Sequence, residues 1–496
     1  MSVVENIFWF RNDLRILDNL PLQSCLKFEN VAVIYIYDPE IIESKTFSSM
    51  HLDFINDSLL ELSTRFQKNQ SYLNIFHGNT IKVIEKISKK NKIKNIFSHH
   101  DIRDLIVLNI DKRVQNFCNL NRITWNIFQR NGVVSGLKNR DGWAYLWAKE
   151  MQKPLAQFPK ISKCKKLNGT SGILYADQLG IKPLGYDKKF VGGEKFANLQ
   201  LDKFLNESGQ EYSKHISSPL KAENSCSRLS SYITYGNLSL KQIVKKTKEK
   251  QVLLRENKTR DGWLGSLSAF SSRLRWHCHF IQKLEMQPSL ENSNMVRAFD
   301  AIRNEENRDL FNAWGNGEVG FPMVDACMRF LKFNGWINFR MRAMLVSFAS
   351  YNLWLDWKKT SKFLSKYFID YEPGIHYNQF QMQSGVTGIN AIRIYNPIKQ
   401  QSDHDSDGDF VKKWVPELRN VPNDYLQYPH LMSEFLQKKT GCIIGKTYPS
   451  PIVDLKTSSL FARKNIFSIK SLAITKKQSK LAYQLHGSRR KIRNGR

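Results

Sequence analysis

The sequence predicts an α/β protein of two domains: an amino-terminal α/β domain on a parallel, Rossmann-like sheet, then a larger all-helical domain. Three observations carry that expectation. At 496 residues the chain is too long for one ordinary hydrophobic core. Short β-rich runs at Ile7–Phe10, Val31–Tyr37, Leu73–Phe76, Ile93–Phe97 and Ile123–Phe128 alternate with amphipathic segments of helix length, the pattern of parallel strands joined by crossover helices. Farther along, the spacing turns helical: Met323, Val324, Cys327, Met328 and Leu331 share a face, Pro322 suits a first turn, and Gly335 is placed to end the helix.

Residues 1–130 constitute the α/β domain, and ligands on such sheets sit beyond the carboxyl ends of the strands, so a small-molecule crevice is expected there. Residues 131–200 mix Gly, Pro and Lys without sustained periodicity and read as an interdomain linker. Residues 201–450 form the helical domain, and residues 451–496 a basic carboxy-terminal extension. Clusters at Lys241–Lys250 and Lys476–Arg496 suggest an exposed helix face and a basic tail that bind phosphates without reading sequence.

A formal net charge of +30 creates a field that draws polyanions, which makes nucleic acid the expected partner; a solvated, Lys-rich surface is the alternative source of that excess. The longest strongly apolar strand-like run, Val31–Tyr37, is too short to cross a bilayer, and the amino terminus lacks a secretory leader pattern. Seven scattered cysteines without a CxxC pair give no zinc or iron–sulfur pattern, so no metal is expected. A reduced, cytoplasmic, DNA-associated monomer follows as the expectation.

The densest information lies between Trp314 and Pro397, which reads WGNGEVGFPMVDACMRFLKFNGWINFRMRAML, then DW at Asp356 and Trp357, then FIDYEPGIHYNQFQMQSGVTGINAIRIYNP. With IFWFRNDLRILDNLPL from Ile7 and CSRLSSYITYGNLS at Cys226–Ser239, this resembles the photolyase/cryptochrome family of flavoproteins from Ile7 to Leu418. The resemblance implies FAD in the helical domain and an antenna chromophore of folate or deazaflavin type in the crevice of the α/β domain. The motif that would identify the antenna is blurred around His99, His100 and Asp101, so its identity stays open.

By the same resemblance the cofactor-binding residues are Tyr212, Cys226, Ser227, Arg228, Leu229, Ser230, Arg342, Asp370, Glu372 and His376. Ser227 and Ser230 supply a hydroxyl pair at the start of an expected helix, where the N-terminus favours phosphate, although SxxS alone is also an ordinary cap. Cys226 replaces the usual Thr and removes a hydroxyl, whereas Glu372 replaces Asp and keeps an acceptor. Arg342 and Asp370 match an ion pair beside the reactive edge of the flavin, where a fixed cation favours an anionic reduced ring. His376 stands where the family places the residue facing flavin N5; imidazole titrates near neutrality, so a pH-dependent flavin is expected, with an ordinary core histidine as the alternative.

The family's electron-transfer triad of tryptophans is interrupted: Trp357 matches the middle member, Phe380 takes the flavin-proximal place and Asn304 the outer one. Trp354, Tyr351, Tyr367, Tyr371 and Tyr377 are candidates for a substitute path or are core packing residues. Toward substrate, the resemblance names Arg273, Trp276, Phe339, Arg340 and Met382 as DNA-binding, with Trp276 stacking on damaged bases. Trp276, His277 and His376 are the catalytic candidates. His277 and its neighbour His279 either transfer protons or are structural. Arg273, Phe339 and Met382 depart from the residues of cyclobutane-dimer photolyases, and Phe339 and Ala343 replace the histidine pair of (6-4) photolyases. The implied activity is that of a DNA photolyase, a lyase that splits UV-induced pyrimidine dimers in damaged DNA by electron transfer from reduced FAD. The alternative is a cryptochrome-type blue-light receptor without repair activity.

Overall fold

The computed structural model describes residues 3–157, 161, 163–258 and 260–487. Its sheet contains β1 (Asn6–Phe10), β2 (Val31–Tyr37), β3 (Leu73–His77), β4 (Asn95–His99) and β5 (Thr124–Phe128), in the order β3-β2-β1-β4-β5 with every neighbouring pair parallel. Each expected strand is present. Ile93 and Ile123 fall just outside the strands yet are buried, because apolar character marks burial and pairing begins only after them. Successive side chains alternate between two cores: Phe8, Phe10 and Val33 face the core shared with the helical domain, while Ile7, Trp9, Ala32 and Ile34 face the Thr80–Lys90 and Leu105–Leu120 helices.

The strand order reverses between β1 and β4, and the crevice at their carboxyl ends, where the resemblance places an antenna, holds buried ion pairs. Arg11 and Arg103 bind Asp101 at 3.4 and 2.6 Å, Arg11 binds Asp111 at 2.7 Å, and His99 Nδ1 lies 2.7 Å from Asp13. This edge also docks the helical domain. The Leu14 N–H donates to the Tyr235 carbonyl at 3.0 Å, Arg15 donates to the Gly236 carbonyl at 2.9 Å, and Arg130 donates to the Ile233 carbonyl at 3.1 Å. Gly236 has φ of 71°, and a Cβ there would lie 2.3 Å from the Asn12 carbonyl oxygen, so only glycine permits this approach.

Between the domains, residues 131–193 are mostly irregular but include a helix at Trp143–Gln152. The helical region then follows. The helix expected after Pro322 spans Pro322–Asn334 and ends at Gly335 in the left-handed conformation, with φ of 68°. Two helices frame the site: Trp263–Met286 and Pro373–Ser384. They cross closely because Gly374 lacks a side chain; a Cβ there would lie 2.6 Å from Ile281 Cα. The Lys476 cluster expected in a basic tail begins on a helix, Ala473–His486, which pairs with Leu455–Ser471 and is pinned by Gln478 to the Ala298 N–H and by His486 to Gln287. The remainder of that cluster, residues 488–496, lies outside the described residues.

Candidate functional site

A cavity opens between the Trp263–Met286 and Pro373–Ser384 helices, floored by the Phe339–Ser347 helix and by the turn around Ser230. Of the expected cofactor residues, Tyr212, Cys226, Ser227, Arg228, Ser230, Arg342, Asp370, Glu372 and His376 line it; Leu229 points into the core instead, at 1% exposure. Arg342 sits on the Phe339–Ser347 helix and grips Asp370 through two parallel contacts of 3.0 and 2.9 Å, while its Nε donates to the Ile337 carbonyl at 2.7 Å. The Arg342 guanidinium and the Ser230 hydroxyl hold the Asp370 carboxyl below its usual range against the opposing effect of burial. Arg228 lies over the rings of Trp336 and Phe190, at 3.9 and 4.6 Å.

The expected helix at Ser230 is only the turn Ser230–Thr234, and Ser227 precedes it in a loop. Its dipole is correspondingly small, so the hydroxyls and Arg228, rather than a helix end, are the polar groups on offer there. Glu372 is fully enclosed, and burial raises its carboxyl to about 7 while Arg130 opposes the rise.

Burial works against the expectation that His376 titrates near neutrality. The ring is buried against Phe380 at 4.5 Å and Tyr371 at 5.0 Å, and its Nε2 donates to the Ser361 carbonyl at 2.9 Å. Burial lowers its pKa to about 3, and the Arg342 charge adds to the effect. His277 is likewise lowered to about 3 by burial, with both ring nitrogens lacking partners among the described residues. Burial thus favours the neutral imidazole at both positions, against the imidazolium expected at His376. Accordingly, flavin photoreduction measured by absorbance from about pH 5.5 to 8.5, a window around the ordinary histidine value near 6.5, should follow the same pH profile in the parent and in His376→Asn. A step in the parent that disappears in the variant would restore the titration.

At the cavity mouth, Arg273 lies over the exposed ring of Trp276 at 4.2 Å and 5.9 Å from the ring of Phe339. Arg340 and Met382 do not reach this cavity; they line a second one that continues from its mouth. Phe380 lines the first cavity, but Trp357 is buried behind it and donates from Nε1 to Asn294 at 2.7 Å. Sequence reasoning missed Asn338 and Trp336 on the wall. Asn338 stands as the helix-capping residue of Phe339–Ser347, but its side chain makes no cap and its Oδ1 is left unpartnered.

A model of DNA photolyase matches residues 6–145, and a model of the FAD binding domain of DNA photolyase matches residues 270–467. The chain belongs to the photolyase/cryptochrome family. It is 27% identical over 486 residues to the deoxyribodipyrimidine photo-lyase of Buchnera aphidicola subsp. Acyrthosiphon pisum, covering 92% of this chain and 95% of that protein. It is 25% identical over 508 residues to the cryptochrome DASH of Synechocystis sp., covering 92% and 97%. The crystal structure of a bacterial class III photolyase from Agrobacterium tumefaciens matches with a TM-score of 0.81 at 24% identity over 95% of this chain and 99% of that one, a likeness of fold.

FAD is the cofactor of this photolyase/cryptochrome chain, and the cavity fits it. His277, Glu372 Oε1, Asn338 Oδ1 and Arg228 Nε are buried polar groups on the wall without partners among the described residues, which a dinucleotide can satisfy. Arg342, held by Asp370, is a cation on the same wall. Among the described residues no cluster of His, Cys, Asp or Glu is arranged to hold a metal ion, no helix is long and apolar enough to cross a membrane, and all seven cysteines are buried and unpaired.

Proposed function

We propose that the protein is a light-dependent DNA-repair enzyme of the deoxyribodipyrimidine photolyase type, acting on pyrimidine dimers in UV-damaged DNA inside the cell. The observation that carries this reading is the mouth of the flavin cavity. An exposed indole, Trp276, lies under a guanidinium and opens onto a groove whose described lining is basic and aromatic, with no carboxylate. That combination suits a flipped base pair held by stacking and by phosphate contacts.

When bound, reduced FAD supplies the electron that light sends to the dimer. The chain's own residues prepare that transfer. Trp276 stacks on the lesion, with Phe339 beside it, and Arg273 fixes the approach of the anionic strand. Arg342, oriented by Asp370, favours negative charge at the cofactor edge. Glu372, whose carboxyl burial raises to about 7, can donate as well as accept a hydrogen bond. The test is to illuminate the chemically reduced protein with a dimer-containing oligonucleotide and measure dimer loss. Turnover is expected, with lesion affinity falling about 5- to 150-fold in Trp276→Ala, the loss of roughly 1–3 kcal/mol of stacking.

The second reading, a cryptochrome-type light receptor, is favoured by one observation: Met382, where a second stacking aromatic belongs, faces the side cavity instead of the flavin mouth. Retained flavin and DNA binding without any dimer loss would select it.

For photoreduction we propose a substitute route that begins at Tyr371 on the cavity wall. Its hydroxyl donates to Tyr377 at 2.9 Å, the two rings are 6.4 Å apart, and Tyr377 lies 6.5 Å from Trp357. Tyr371→Phe and Trp357→Phe should each slow flavin photoreduction at least tenfold under pulsed illumination with an external thiol donor. Unchanged rates in both would exclude the route.

A further inference from the structure

Behind the flavin mouth the second cavity, of about 750 Å³, runs between the Trp263–Met286 helix, the Trp143–Gln152 helix and the last turn of the Ala473–His486 helix. Arg275, His279 and Lys283 follow one another along a single face of the long helix at four-residue steps and all border this space. Lys283 is 4% exposed, and its ammonium forms no ion pair or hydrogen bond among the described residues; its neighbour is the Phe280 ring at 5.5 Å. Arg140 arrives from the linker, stacks on Trp143 at 4.9 Å, donates to the His486 carbonyl at 3.1 Å and to the His279 ring at 2.5 Å, while its buried Nε has no partner.

The described lining of this cavity contains no Asp or Glu. The charged neighbour acting on Lys283 is Arg140, another cation, and the cations acting on His279 are Lys283, Arg140 and Arg275. Burial together with this crowding lowers Lys283 to about 7 and His486 to about 3. Burying an ammonium beside a guanidinium is unfavourable unless an anion accompanies them or the amine gives up its proton, and an unpaired ammonium beside a guanidinium is a setting that oxyanions of phosphorus select.

We propose that this corner is a binding site for a phosphate-type oxyanion, held by Lys283 and Arg140 and closed by the end of the Ala473–His486 helix. It is set back from the flavin, and it stands whether or not the protein repairs DNA. Because the cavity shares Arg273, Trp276, Phe280 and Phe339 with the flavin mouth, the oxyanion is either a backbone phosphodiester of bound DNA or free phosphate.

The test is a ³¹P NMR titration of inorganic phosphate into the full-length, flavin-loaded protein in chloride buffer. Saturable line broadening is expected, at least tenfold weaker in Lys283→Met and in Arg140→Met and retained in Lys283→Arg. Since Arg140 also secures the final helix, hydrogen exchange of residues 473–487 in the unmodified protein gives an independent readout, and phosphate should slow it. Displacement of phosphate by the undamaged dinucleotide TpT assigns the site to the DNA backbone; phosphate binding that TpT leaves intact assigns it to the free anion. Broadening that persists unchanged in Lys283→Met, or phosphate that neither broadens nor slows exchange, overturns the proposal.

Discussion

Arg342→Ala will elute from gel filtration with most of its flavin lost, and Asp370→Asn will lose a large part of it. The two side chains form a bidentate pair in which the carboxylate is 4% and the guanidinium 25% exposed. Breaking a buried pair by deleting one member costs about 3–5 kcal/mol, and the partial exposure of Arg342 places this case near the lower end, a change of roughly two orders of magnitude in an equilibrium constant. Asp370 also offsets Arg228, whose guanidinium is held below its usual range by burial. Asp370→Asn therefore leaves two cations facing one neutral amide. The checks are flavin absorbance per protein and thermal melting of the stripped protein. The double variant Arg342→Met with Asp370→Leu separates the two roles, since matched apolar partners should regain melting temperature without regaining flavin. Full flavin content in both single variants would remove the pair from the site.

DNA affinity will fall steeply with salt. Arg273, Arg275, Arg340 and Arg393 surround the groove, and the chain as a whole carries a net charge of +30. A protein that neutralises six to ten phosphates loses about 10³- to 10⁵-fold in affinity between 50 and 200 mM salt, because each contact releases condensed counterions. Fluorescence anisotropy with an undamaged duplex measures the slope. Arg340→Ala and Arg393→Ala should each lower that slope by about one contact while leaving flavin content unchanged. A flat salt profile would mean that the charge excess is a solvated surface with no polyanion to meet.

The sheet was legible because each strand carries a compact β-branched or aromatic run, and Pro322 with Gly335 marked a helix whose ends the backbone honours. The Arg342–Asp370 geometry could be anticipated because two motifs place the pair, although its bidentate form needed coordinates. Titration could not be read in the same way. The low pKa of His376 comes from enclosure by Phe368, Tyr371 and Phe380, against the Ser361 carbonyl, which favours the protonated ring, and its own motif announces none of these as partners. Leu229 shares the CSRLS block with its polar neighbours, and only the path of the backbone decides that it turns inward. The basic cavity was hidden for a further reason: Arg140, Lys283 and His486 are brought together from three distant segments.

The contact between the sheet edge and the turn after Ser230 has a consequence for how the two halves depend on each other. Arg15 and Arg130 are buried; Arg15 donates to the Gly236 carbonyl and Arg130 to the carbonyls of Ile233 and Thr234, the chain segment that leads directly out of the cavity-lining turn. The α/β half is therefore a buttress for the cavity-lining loop. A helical half expressed alone would present orphaned carbonyls at the back of that loop, and any chromophore carried by the sheet would be held at a fixed distance and orientation from the flavin, which is the condition for efficient transfer of excitation.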